Sequence, residues 1–123
     1  MSRLIDRPVK ICHLNVTVTD AENTTPTTGI DLLGYSLAGI SFPSTFDGTA
    51  LTFTVCDTQG GTYLAMIDKN GTTYTVTCAA SRYVALPPAD FAGIRFIKPV
   101  CSTAQSTTDT IFVFHLAPIL TEM

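Results

Sequence analysis

Residues 10–18 read KICHLNVTV, and the alternation inside that stretch constrains the fold more than any other feature of the chain. Cys12, Leu14, Val16 and Val18 fall on one side, and Ile11, His13, Asn15 and Thr17 on the other. Successive side chains of a strand point to opposite faces, so a period of two with one apolar side predicts a half-buried β-strand. The same period returns in YSLAGISF, ALTFTVCD, TYLAMID, TTYTVTC, RYVAL, GIRFIKPV and IFVFHLAPIL. Turn-forming residues separate these runs, among them Gln59-Gly60-Gly61, and Pro87-Pro88-Ala89-Asp90-Phe91 predicts a turn or single helical turn. No segment carries a convincing helical period. About eight strands so spaced predict an all-β, jelly-roll-like antiparallel sandwich rather than a parallel α/β sheet.

A chain of 123 residues fits one compact domain. The polar stretch TDAENTTPTTGID, with Pro26 and Gly29, sets the first strand apart. It suggests an N-terminal strand or arm with its loop over residues 1–30 and a sandwich over residues 31–123, one structural domain overall.

Asp68-Lys69-Asn70-Gly71 begins like a calcium-binding loop, but Gly71 falls at the fourth position where the EF-hand needs it at the sixth, and Ala79 stands where a Glu ligand belongs. Asn70-Gly71 instead suits a two-residue type I′ turn, whose central residues both need positive φ, joining TYLAMID to TTYTVTC in a hairpin.

Charge narrows the function. Only 14% of residues are charged, against about 25% in an average soluble domain. The surface must therefore hold much hydroxyl and apolar side chain, which favours self-association. Net charge is −3 and Lys and Arg do not cluster, so nucleic acid is not an expected partner. No apolar run approaches the ~20 residues that span a bilayer, so no membrane is expected either. MSRLIDRPVK lacks the apolar stretch of a signal peptide, so Cys12, Cys56, Cys78 and Cys101 are expected to be reduced packing residues. Without close Cys pairs, no metal or cofactor is expected. His13 and His115 lie in predicted strands that can meet across a sheet, with packing or surface roles expected. Arg82 beside Tyr83 and Arg95 beside Phe96 suit a subunit contact. Asp57, Asp68 and Asp90 do not establish a carboxylate pair, and no nucleophile elbow occurs, so catalysis finds no support.

Across residues 42–114 the chain resembles a small β-domain of structural proteins in tailed bacteriophages. The likeness rests on STFDGTALTFTV, Gly61-Thr62-Tyr63, Asp68 with Gly71 and Tyr74, and above all SRYVAL followed by FAGIRFIK. Related jelly rolls decorate capsids as cement proteins, commonly as trimers where capsomers meet. The resemblance implies a non-enzymatic virion subunit on the capsid surface, made in the host cytoplasm, with copies of itself in a homotrimer and the major capsid protein as partners. The interface residues expected are Leu4, Ile5, Val9, Arg82, Tyr83 and Arg95, the first three on an arm that reaches a neighbour. The alternatives are a carbohydrate-binding module of a fibre and a tail or head-completion protein.

Overall fold

The computed structural model describes residues 12–18, 22–24, 29–105 and 109–118. Along them run β1 (Cys12–Val18), β2 (Ile30–Asp31), β3 (Tyr35–Ser41), β4 (Ala50–Cys56), β5 (Leu64–Ala65), β6 (Val76–Thr77), β7 (Tyr83–Ala85), β8 (Phe96–Cys101) and β9 (Thr110–Pro118). A 3-10 turn spans Pro88–Phe91, where the sequence places a turn or single helical turn.

The pairing is nested. β1 pairs with β9, β2 with β8, β3 with β7, and β4 with both β5 and β6, all antiparallel. That is one long hairpin rolled upon itself. Pairing of β3 with β9 and of β4 with β8 then seams the roll into two sheets, β1-β9-β3-β7 and β2-β8-β4-β5, with β6 on the same edge of β4 as β5. The result is the antiparallel jelly-roll sandwich that the alternation predicts.

β1 is an integral edge strand, in register with β9 from Cys12 opposite Leu116 to Val18 opposite Thr110. The division expected at residue 30 therefore falls inside the sandwich. β2, which TTGID does not announce, is two residues long, too short for alternation to show.

Inward-facing rows fill the space between the sheets. Phe112 and Phe114 of β9 are fully buried, as are Leu37 and Ile40 of β3 and Leu51 of β4. The aromatic side chains form two groups: Phe42, Phe46, Phe112 and Phe114 in one, and Phe53, Tyr74 and Phe91 in the other. Each fully buried Phe contributes about 1.5–3 kcal/mol. Cys78 and Cys101 belong to this core, and burial pushes their thiols up to about 11 and about 12. The Cys78 N–H bonds to Thr49 beside β4, and Cys101 pairs with Leu51 on the other side of that strand. Two strand spacings of about 4.8 Å exceed the ~7 Å reach of a disulfide. Both thiols are free, as expected of packing residues.

The structure corrects the expected hairpin. β5 and β6 both run antiparallel to β4, at Thr54–Val55 and Ala50–Leu51 respectively, so they are two pieces of one interrupted strand. The chain leaves β4 after Met66 and turns out and back through an Ile67–Thr73 bridge. It rejoins where the Tyr74 N–H bonds to the Met66 carbonyl. Within the excursion Gly71 has φ +84°, whereas Asn70 does not adopt a positive φ. The Gly71 N–H bonds to the Asp68 carbonyl and the Asp68 N–H to the Thr72 carbonyl. This is a three-residue loop closed by a left-handed glycine, not a two-residue type I′ turn. The Asp68 carboxylate supplies the reason: its Oδ1 accepts the N–H groups of Asn70 and Thr72, at 2.8 and 3.0 Å, and templates the wider loop.

The type I′ combination occurs instead at Leu33-Gly34, with φ values of +58° and +84° and the Tyr35 N–H bonded to the Leu32 carbonyl. Leucine tolerates that conformation poorly, and Leu33 is exposed. Leu33→Asn is expected to raise stability by about 1 kcal/mol, read as an upward shift of the denaturation midpoint in urea at unchanged slope.

Candidate functional site

Outward-facing residues of the β1-β9-β3-β7 sheet form the most distinctive surface. Register places His13, His115, Gly39 and Ala85 in one row, and Asn15, Val113, Ser41 and Tyr83 in the next. A third row pairs Thr17 with Ile111. Alternation puts Ile111, Val113 and His115 on the side of β9 opposite buried Phe112 and Phe114. Every described Asp, Glu, Lys and Arg lies in a connection or in β2 or β8. The plate is thus free of formal charge among the described residues, and Tyr83 and Ile111 stand 56% and 49% exposed upon it.

An edge-to-face strip crosses its middle. The His13 and His115 ring centroids lie 4.6 Å apart, and those of His115 and Tyr83 lie 5.0 Å apart. Gly39 makes the strip possible, because a Cβ there would collide with the Tyr83 hydroxyl. Ser41 Oγ and His115 Nε2 share a 2.6 Å hydrogen bond. Burial, and then the charge of His13, lower the pKa of His115. A neutral imidazole on a serine is half of a nucleophilic pair, but the other half of that machinery is missing among the described residues. The ring's other neighbours are His13 and Tyr83 rather than an orienting carboxylate, and the strands beneath it commit their N–H groups to the ladders.

A second feature lies at the excursion from the β4 edge. A groove of about 830 Å³ runs between this loop and the 3-10 turn, lined by Met66, Asp68, Asn70, Thr72, Tyr74 and Asp90 among others. The Tyr74 hydroxyl donates to Asp90 Oδ2 at 2.7 Å. Burial and that carboxylate hold the phenol's pKa up at about 12, so it stays a donor at neutral pH. One oxygen of the Asp68 carboxylate is engaged within the loop, where it accepts two N–H groups.

The residues that the sequence marks for contact are dispersed. Leu4, Ile5 and Val9 lie outside the described residues. Tyr83 sits on the uncharged plate. Arg82, exposed in the connection just before β7, donates to its own neighbour's carbonyl, Ser81 O. Arg95 is at the opposite end of the sandwich, where its guanidinium makes two hydrogen bonds to Asp31, at 2.7 and 3.1 Å, and lies over the Phe96 ring. Its exposure makes that pair worth little stability, but it leaves Arg95 partnered within the chain. The plate itself escapes single-strand reasoning, although the parity of His13 already sets it opposite the apolar side of its strand.

No family model matches the chain, and neither the curated proteins nor the solved structures yield a significant match.

Proposed function

We propose that this protein is a non-enzymatic virion subunit, a capsid decoration or cement protein that self-associates as a homotrimer and bridges copies of the major capsid protein. The observation that carries the reading is the uncharged plate on β1-β9-β3-β7, where apolar, hydroxyl and aromatic side chains replace the charges that keep a small monomer apart. The resemblance of SRYVAL and FAGIRFIK to phage virion domains points the same way. So does the jelly roll, whose rigid two-layer body suits a geometric role while leaving function to its surfaces. Each bridge adds contact area that is lost when the shell comes apart, so the shell gains stability by linkage.

Ile111→Asp tests this without touching the core, since Ile111 faces outward. Burying an unpaired carboxylate costs several kcal/mol, so co-sedimentation with heads is expected to weaken by at least about 100-fold. Head binding equal to wild type removes the plate from the mechanism. Counting copies on purified heads separates cement, which covers the whole shell, from a head-completion or tail protein present at one vertex.

A carbohydrate-binding fibre module is the second reading, and the ligand-sized groove beside Tyr74 and Asp90 favours it. Saturable heat on titration with host glycans, together with indifference to heads, would establish it over the first.

A further inference from the structure

Two imidazoles stand side by side on the plate. His13 of β1 and His115 of β9 are direct partners in the antiparallel register, with ring centroids 4.6 Å apart and planes crossed at 72°. We propose that this pair is a metal site, a two-imidazole chelate for a divalent transition cation that links edge strand β1 to β9. The inference does not depend on what the protein assembles with, so the two are tested separately.

Strand geometry supplies the spacing. Residues directly opposite on antiparallel strands hold their Cβ atoms about 4.5–5.5 Å apart, and both side chains leave the sheet on one face. A zinc-like ion bonds imidazole nitrogen at about 2.0–2.1 Å, so two rings sharing it at a right or tetrahedral angle have centroids roughly 4.5–5.2 Å apart. The observed separation falls within that range. His13 is exposed and its ring torsion is soft, so a nitrogen can turn towards the ion with the backbone in place.

His115 is already held. Its Nε2 meets Ser41 Oγ at 2.6 Å on β3, the strand on the far side of β9 from β1. The two nitrogens of an imidazole point nearly opposite ways, so Nδ1 turns towards β1 and His13. With the Nε2–H donating to Ser41, the lone pair lies on Nδ1, as metal ligation requires. Tyr83, edge-to-face against the same ring, restricts it further.

The ligands select the ion. Imidazole suits Zn²⁺, Ni²⁺ and Cu²⁺, whereas Mg²⁺ and Ca²⁺ demand oxygen. No group of three or more His, Cys, Asp and Glu that could hold a metal occurs among the described residues. Water therefore completes the shell, and the ion is exchangeable, unlike that of a closed structural site. None of the four strands carries a Lys or Arg to repel a dication.

Titration calorimetry of the full chain with Ni²⁺ at pH 7.5, and with Mg²⁺ in parallel, tests the proposal. Wild type is expected to bind one Ni²⁺ per chain saturably and to ignore Mg²⁺. His13→Gln and His115→Gln should each weaken Ni²⁺ binding at least about tenfold, because either change destroys the chelate. Ser41→Ala keeps both ligands and should weaken it by less; an unchanged affinity removes Ser41 as the orienting partner. Urea denaturation confirms that each variant folds and adds an independent readout. Ni²⁺ should raise the midpoint of wild type and leave that of the doubly substituted chain where it was. Absence of saturable Ni²⁺ binding in wild type overturns the proposal. So does equal affinity in the doubly substituted chain, which assigns the ion to other ligands, or binding of Mg²⁺ as tight as that of Ni²⁺.

Discussion

Phe112→Ala is expected to destabilise the protein by about 3–5 kcal/mol, the cost of removing a buried ring and leaving a cavity. In a domain of this size that lowers the midpoint of thermal unfolding by about 10–20 °C. Phe112 has no solvent exposure, and its ring lies 5.4 Å from Phe42, 6.0 Å from Phe46 and 6.1 Å from Phe114, centroid to centroid. The neighbours belong to β9 itself and to the connection that follows β3, so no single flexible segment can move in to fill the space. Differential scanning calorimetry of the variant measures the loss. A shift of only a degree or two would mean that the β9 ring is not the keystone of its aromatic group.

Gln105→Ala should cost about 2–4 kcal/mol although it removes no hydrophobic contact of note, because the groups it satisfies are left behind. Gln105 is completely buried in the connection between β8 and β9. Its Oε1 accepts the Asp47 N–H at 2.9 Å, and its Nε2 donates to the Asp47 carbonyl at 2.9 Å and to the Thr103 carbonyl at 3.2 Å. Its own N–H bonds to the Glu22 carbonyl. One side chain thereby ties the β3–β4 connection to the β8–β9 connection, and its backbone holds the β1–β2 connection to both. Chemical denaturation is the measure of the whole loss. Hydrogen exchange adds a localised readout, since the Asp47 amide should lose its protection first. A variant as stable as wild type, with Asp47 still protected, would show that the loops at this end are held by other means.

These two residues also mark what the sequence makes legible. Phe112 is half legible: IFVFHLAPIL reads as a strand, but Ile111, Val113 and Ala117 make its other side apolar too, so which side turns inward shows only once β9 lies between β1 and β3. β1, β3, β4 and β8 announce themselves as strands in the same way. Gln105 is invisible, since a lone glutamine in a polar loop looks like every other exposed polar residue until three connections converge upon it. The interrupted strand formed by β5 and β6 is missed for a related reason. TYLAMID and TTYTVTC alternate well enough to pass for hairpin arms, and only the pairing of both with β4 shows that they continue one another. The turn at Asn70-Gly71 follows the side chain of Asp68, a local hydrogen-bond acceptor that dipeptide preference leaves out. The candidate site is legible only in halves. Low charge foretells a surface made for contact, but which face carries it depends on four strands distant in sequence lying side by side.

Mass in solution reports most directly on whether that face is covered. Sedimentation equilibrium at pH 7.5 should give wild-type protein a mass that is a small multiple of the 13.2 kDa chain, and Ile111→Asp the mass of a single chain. Wild-type protein that stays at 13.2 kDa throughout the accessible concentration range would contradict the account at its root.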